Sequence, residues 1–159
     1  MSLPHDVAHI LARDLRAFAR DLEAMPERDL WRTLPGVKNP VGSLAWHVCG
    51  NLRHFIGALL GGDGYVRQRD TEFSARPTKA ELLAELEITA TVVERVLAAL
   101  PPARLDEEMP SPPPHHQGRT VAYFLVQLVA HFQRHQGQAD YLRRQMSAPK
   151  TFFSRLGIR

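Results

Sequence analysis

His131 and His135 are the two side chains whose type and spacing most directly predict chemistry in this sequence. They lie four residues apart in the last long apolar segment, VAYFLVQLVAHFQRHQGQADYLRRQM. At about 100° per residue, they are separated by about 40° around a helix. They therefore share a stripe with the large apolar residues Phe124, Leu128 and Leu142. Burying an unpartnered polar group costs about 2–7 kcal/mol, and a metal ion shared by both imidazoles would offset that cost.

Two histidines make an incomplete site, because catalytic zinc-type centres usually take three protein ligands and leave one position open. His47 is the best candidate for the third ligand, since it lies at the edge of the apolar arc of the second predicted helix. His54 shares its stripe but lies about 10 Å further along the axis, which is too far to join His47 on one ion. The remaining histidines are expected to be solvent-exposed: His5, His9, His115 and His116.

Four amphipathic segments are expected to position these side chains as an all-α four-helix bundle, in a single domain spanning residues 1–159. The periodicity predicts helices over about residues 6–24, 40–60, 78–100 and 120–146. Asn39 is the predicted N-cap of the second helix, and Thr78 with Glu81 forms a predicted capping box for the third. A short turn is expected at Leu30–Trp31. The simplest topology is up-down with a longer connection between helices 2 and 3.

The composition excludes several function classes. Hydrophobic residues make up 44% and charged residues 23% of the chain, which is ordinary for a soluble globular protein. The net charge of +3 comes from scattered arginines without a basic stripe, so no nucleic-acid partner is expected. No secretory signal or membrane span is evident. The single cysteine, Cys49, suits a reducing compartment and is predicted to be a buried apolar residue rather than a nucleophile. We therefore expect a cytoplasmic protein.

The second and fourth segments together resemble the DinB-like superfamily of four-helix-bundle proteins. The resemblance lies in VGSLAWHVCGNLRHFIGALLGG and LVAHFQRHQGQADYLRR, and the following GG…RQRDTEF stretch resembles an uncharacterised DinB-like branch. It implies a three-histidine metal site formed by His47, His131 and His135. It also implies a homodimer. Members of this superfamily include metal-dependent transferases that use low-molecular-weight thiols, a thiol-dependent isomerase and predicted hydrolases.

Three neutral imidazoles would leave a divalent ion with an open coordination position. Such an ion can lower the pKa of a bound water to about 7, bind a thiolate or polarise a carbonyl. Nitrogen-only ligation suits Zn, Ni, Cu or Fe and does not discriminate sharply among them. We expect Zn or Ni, with Fe, Mn and Cu left open. Asn51, Gln127 and Gln138 lie beside the histidines and are candidates to orient them. Their alternative role is that of ordinary polar residues at a bundle seam.

Two hypotheses about function follow. No carboxylate lies beside the histidines on either helix, so a general base of the HExxH kind is missing and no catalytic side chain is assigned. The first hypothesis is a small-molecule enzyme of thiol-S-transferase or hydrolase type, with Arg53, Arg67 and Arg69 binding a carboxylate-bearing thiol; solvated loop arginines are the alternative. The second is a non-catalytic, metal-stabilised binding or stress-response module. A fourth protein ligand, such as His54 or Glu72, would favour the second.

Overall fold

Four long helices account for most of the protein. The computed structural model describes residues 2–147, and over that range the chain is all-helical and forms no strand. The long helices are α1 (Leu3–Glu23), α2 (Val41–Leu52), α3 (Lys79–Ala98) and α4 (Val121–Ser147). A π-helical segment, Arg53–Leu60, continues α2 without a break. The all-α class and the four long helices are thus confirmed, while the predicted domain over residues 1–159 extends beyond the described residues and stays a prediction.

The helix starts follow local capping chemistry, with one correction. The capping box of α3 is present, because Thr78 Oγ1 accepts a hydrogen bond from the Glu81 amide and the Glu81 carboxylate accepts one from the Thr78 amide. The prediction that Asn39 caps α2 is wrong. Pro40 takes the N-cap position in an extended conformation, without a side-chain hydrogen bond, so Asn39 lies one residue too early.

A polar cross-link fixes how α4 is rotated against α1. The Gln133 side chain donates a hydrogen bond of 2.5 Å to the largely buried carboxylate of Asp14, and Gln136 donates one of 3.2 Å to the Asp14 backbone carbonyl. Gln133 lies about 160–200° around the helix from His131 and His135. The histidine face of α4 therefore turns away from α1 and toward α2, against which α4 packs.

The core is continuous and apolar. Leu30 is fully buried at the end of a short helix, Glu27–Leu30, which confirms the predicted turn at Leu30–Trp31. Every long helix contributes large side chains with at most 2% exposure, among them Leu11, Leu15, Phe18, Leu52, Ile56, Leu82, Leu86, Leu97, Leu125 and Phe132. Among residues 2–147, no helix is both long and apolar enough to cross a membrane.

The long connection between α2 and α3 is anchored on α2 rather than free. The Arg53 guanidinium donates a hydrogen bond of 2.8 Å to Glu85 of α3 and lies 4.4 Å from the centroid of the Tyr65 ring. Further along the same connection, the Arg67 guanidinium lies 5.9 Å from the centroid of Phe55. These contacts bring the connection back along α2, where it can reach the histidines.

The proline-rich loop before α4 also has local order. Short 3₁₀ helices form at Pro102–Asp106 and Pro114–His116, and Met109 is buried at 1% exposure. His115 is exposed, as predicted. The prediction that His116 is exposed is wrong, because its ring packs against Tyr123 and Phe124 at centroid distances of 5.8 and 5.6 Å and is half-buried.

Candidate metal centre

Three histidines converge between α2 and α4. Each of His47, His131 and His135 offers one ring nitrogen, and these atoms all lie within 4.8 Å of one another. The Nε2 atoms of His47 and His131 are 3.1 Å apart. His47 is buried at 6% exposure, while the two histidines of α4 are half-buried. The structure therefore brings together the three side chains that the sequence pattern and the resemblance named.

A buried carboxylate fixes the orientation of His47. The Glu72 side chain, in the connection between α2 and α3, is 3% exposed and accepts a hydrogen bond of 2.7 Å from His47 Nδ1. Glu72 is acceptor-only in its ionised form, so this contact places the proton of His47 on Nδ1. Nε2 is then left with its lone pair directed toward the other two rings.

Glu72 is itself held by a buried cation. Arg67 donates two hydrogen bonds to it, of 2.6 Å from Nε to Oε1 and 2.9 Å from Nη2 to Oε2. Burial alone raises the pKa of Glu72, but the hydrogen bonds from His47 and Arg67 and the charge of Arg67 outweigh it, so the pKa lies below its usual value. The carboxylate therefore stays ionised at neutral pH.

Gly50 makes room for this carboxylate. A Cβ atom at position 50 would overlap Glu72 Oε1, so any side chain there would displace Glu72 from His47. Gly50 lies three residues after His47 on α2, next to the face that Glu72 covers. A glycine within this helix, where it costs up to about 1 kcal/mol relative to alanine, is explained by that close approach.

Gln138 orients His135 in the same way as Glu72 orients His47. Its side-chain oxygen accepts a hydrogen bond of 2.9 Å from His135 Nδ1, across one turn of α4. This contact assigns the proton of His135 to Nδ1 and leaves the lone pair of Nε2 free to bind a metal ion. Two of the three rings thus have an outer partner that fixes the tautomer suited to ligation, which is the usual arrangement around protein-bound metals.

The donor set fits a divalent transition metal. Nitrogen ligands at about 2.0–2.1 Å from a tetrahedral ion are separated by about 3.3 Å, and the His47 and His131 nitrogens are 3.1 Å apart. Burial, reinforced by His135 and His47, lowers the pKa of His131 to about 4, and burial also lowers the pKa of His135. Both rings of α4 are therefore neutral at pH 7, the form that binds metal.

The lowered pKa of His131 predicts a pH dependence of stability in the metal-free protein. Above the unfolded value of about 6.5 the ring is neutral in both states, so it contributes no slope. Between about 6.5 and 4 the unfolded chain binds a proton that the folded chain does not, so the free energy of unfolding falls as the pH is lowered. Urea unfolding of metal-free protein at about pH 7 and about pH 5 measures this slope. We expect His131→Ala to flatten it and His9→Ala, at an exposed site, to leave it unchanged; an equal slope in both variants would contradict the assignment.

A pocket of about 780 Å³ opens beside the cluster, with His47 and His131 in its wall. Phe55, Phe73 and Phe124 give it aromatic surface, and the Phe73 ring centroid lies 4.9 Å from that of His47. Its remaining walls come from α2, α4 and both long connections: Asn51, His54, Arg67, Arg69, Ser111, Pro112, Pro113, Pro114, His115, His116, Gln127 and Leu128. A small molecule in this pocket would reach the histidines.

The predicted pocket arginines divide into two groups. Arg67 and Arg69 line the pocket, although Arg67 is already paired with Glu72. Arg53, also predicted for the pocket, is not among the residues that line it, because the ion pair with Glu85 and the stacking on Tyr65 hold its guanidinium elsewhere.

The other residues considered from the sequence differ in whether they line the pocket or contact the histidines. Asn51 and Gln127 line the pocket, and among residues 2–147 neither bonds to a histidine of the cluster. His54 lines the same pocket but does not belong to the group of converging ligand atoms. Cys49 is fully buried, as predicted, and burial raises the pKa of its thiol to about 12, so the thiol stays protonated at neutral pH.

The residue that sequence reasoning missed is Glu72 in its orienting role. No carboxylate was expected beside the histidines on either helix, and the carboxylate that contacts His47 comes instead from the connection between α2 and α3. Glu72 was considered only as a fourth ligand, and within the described chain it is not among the converging ligand atoms. Its only signal was its position in the RQRDTEF stretch, where no periodicity predicts what a side chain contacts.

An all-helical chain whose second and fourth long helices carry a converging histidine triad has the features of the DinB-like superfamily. Within that superfamily, the family model for mycothiol-S-transferase matches residues 6–148, and the chain belongs to this family. The DinB-like resemblance is thereby confirmed. A comparison with curated proteins found no match.

Proposed function

We propose that this protein is a metal-dependent thiol S-transferase acting on a small molecule, with His47, His131 and His135 as the metal ligands. The observation that carries the proposal is the convergence of three imidazole nitrogens beside a pocket that is large enough for a small substrate and is lined by two of the three histidines. Membership of the mycothiol-S-transferase family supports a low-molecular-weight thiol as cosubstrate. A bound Zn or Ni ion, or with less preference Fe, Mn or Cu, would supply a Lewis acid that stabilises the thiolate at neutral pH.

The protein's own side chains orient the metal-binding histidines and enclose the substrate. Glu72 and Gln138 hold the Nδ1 protons of His47 and His135, so that both Nε2 atoms face the site. Phe55, Phe73 and Phe124 line the pocket and reduce the water around a bound substrate. Arg69 adds a cation to the same wall and suits a carboxylate on either substrate.

Neither the hydrolase nor the non-catalytic alternative is favoured by a specific contact. A structural metal site is usually closed by a fourth protein ligand, whereas among residues 2–147 only the three histidines converge. We propose in addition that the four helices form an up-down bundle with a long connection between α2 and α3, supported by the packing of α1 on α3 and of α2 on α4. The homodimer and the cytoplasmic location stay predictions.

Metal removal tests the proposed function. Purified protein is stripped with a chelator, reconstituted with Zn or Ni, and assayed for transfer of mycothiol to a fluorogenic electrophile. We expect metal at one ion per chain before stripping, loss of most of the activity after it, and recovery on reconstitution. Full activity in the metal-free protein would contradict the metal-dependent mechanism. Stoichiometric metal without transfer of any thiol would favour the non-catalytic module.

A further inference from the structure

Asn51 is a buried polar residue of the pocket whose side-chain oxygen has no hydrogen-bond partner among residues 2–147. It lies one turn after His47 on α2, is 8% exposed and lines the pocket beside the cluster. Its Oδ1 atom is fully buried, and within the described chain it accepts no hydrogen bond. Since at least about 90% of buried polar groups in proteins are hydrogen-bonded, this atom requires an explanation.

The folded chain alone does not explain an asparagine at this position. The role predicted from the sequence, orientation of His47, is filled by Glu72, which accepts the hydrogen bond from His47 Nδ1. The neighbours of Asn51 on α2 include the buried apolar residues Val48 and Leu52. A leucine of similar size would therefore suit the packing without leaving a polar atom unpaired. A carboxamide is useful here only if a ligand in the pocket completes its hydrogen bonds.

We infer that Asn51 is a substrate-binding residue whose carboxamide pairs with an amide group of the thiol cosubstrate. This inference rests on the proposed function, in which the sulfur lies at the histidine cluster. Positions four residues apart are separated by about 6 Å along a helix, and a hydrogen bond spans about 3 Å of that distance. An amide nitrogen three bonds from the sulfur covers the remainder. The carboxamide offers both an acceptor and donors, which matches an amide better than a carboxylate or an alkyl group.

A matched pair of thiols isolates this contact. N-acetylcysteine and 3-mercaptopropionate share the thiol and the carboxylate, but only the first carries an amide three bonds from its sulfur. Metal-loaded wild-type protein is expected to bind N-acetylcysteine about tenfold more tightly, the difference that one well-placed hydrogen bond supplies. In Asn51→Leu this preference disappears, because N-acetylcysteine binds more weakly while 3-mercaptopropionate is unaffected. Titration calorimetry with both thiols and both proteins gives the four affinities of a double-mutant cycle.

Stability and metal content separate substrate binding from a structural role. Asn51→Leu is expected to keep stoichiometric metal and to unfold at the same or a higher urea concentration than the wild type, because an unpaired polar atom has been removed. Thr89→Val is the matched control. Thr89 is fully buried, and its hydroxyl has no hydrogen-bond partner among the residues that the structure describes, but it lies outside this pocket. This variant is expected to retain the preference for N-acetylcysteine. Asn51→Ala repeats the binding measurement with a smaller side chain.

Each outcome decides the inference. A preference for N-acetylcysteine that survives in Asn51→Leu and Asn51→Ala overturns it, as does a loss of metal or of stability in both variants. If metal-loaded wild-type protein binds neither thiol, the proposed function fails and the inference fails with it. If the wild type binds both thiols equally, the proposed function stands and the role of Asn51 alone is wrong.

Discussion

Replacing His135 with alanine is expected to abolish stoichiometric metal binding and leave the helical fold intact. The substitution removes one of the three ligand atoms that converge within the described part of the chain and leaves two nitrogens, from His47 and His131, to hold the ion. His135 is half-buried on α4, and alanine is the best helix former, so the metal-free variant should fold normally. A ligand present at 1,000 times its dissociation constant stabilises a protein by about 4.1 kcal/mol. The variant should lose the rise in melting temperature that metal gives the wild type.

A second histidine pair in the same chain supplies the control. His5 and His9 have the same four-residue spacing on α1, but both are exposed to solvent. His9→Ala should therefore retain both the metal content after dialysis and the metal-dependent rise in melting temperature. Elemental analysis and calorimetric unfolding of the three proteins measure both quantities. One ion per chain in His135→Ala, or its loss in His9→Ala, would place the metal elsewhere.

The features behind these expectations differ in how well the sequence predicts them. The relation between His131 and His135 is set by helix geometry, so their spacing alone places both rings on one face. The approach of His47 depends on how α2 packs against α4. Periodicity could show only that His47 lies at the edge of an apolar arc, and the family resemblance supplied the remaining step. The helix bounds were predicted to within a few residues, because amphipathic periodicity and terminal proline and glycine residues are local signals.

The contacts that the sequence did not predict join residues that are far apart in the chain or lie in the connections between helices. Arg53 was assigned to the pocket from its charge, but its partner is Glu85, which lies 32 residues away on α3. His116 was expected to be solvated in a proline-rich loop, but the loop folds its ring onto Phe124. Glu72 was not expected to orient His47. Loop side chains have no periodic pattern, so contacts that depend on the path of the loop cannot be predicted from the sequence.

Gly50 is a sequence feature of such a contact that can be interpreted only once the structure is known. In the sequence it is a glycine inside an apolar helix, which lowers helix propensity without an evident gain. In the structure it lies against the Glu72 carboxylate, where a Cβ atom would overlap Oε1. The contact between Gly50 and Glu72 therefore cannot be predicted until the path of the connection that carries Glu72 is known.

Glu72→Ala is expected to weaken both metal binding and the fold. The carboxylate is 3% exposed, accepts a hydrogen bond from His47 and forms a buried ion pair with Arg67. Removing one member of a buried ion pair leaves the other charge uncompensated, which typically costs about 3–5 kcal/mol of stability. Losing the orienting partner of a metal-ligating histidine typically lowers metal affinity about 10- to 100-fold. Urea unfolding of the metal-free protein and metal titration against a competing chelator measure the two effects separately.

Two further variants separate orientation of His47 from neutralisation of Arg67. Glu72→Gln keeps an oxygen that can accept the proton of His47 Nδ1 but leaves Arg67 without a counter-charge. It should therefore lose stability while losing less metal affinity than Glu72→Ala. Glu87→Ala is the control for removing a paired carboxylate, because the Glu87 side chain is 57% exposed in its ion pair with Arg16, and such pairs contribute about 0–1 kcal/mol. If Glu72→Ala binds metal as tightly as the wild type, Glu72 serves only to neutralise Arg67, and the orientation of His47 must come from the packing of its ring against Phe73.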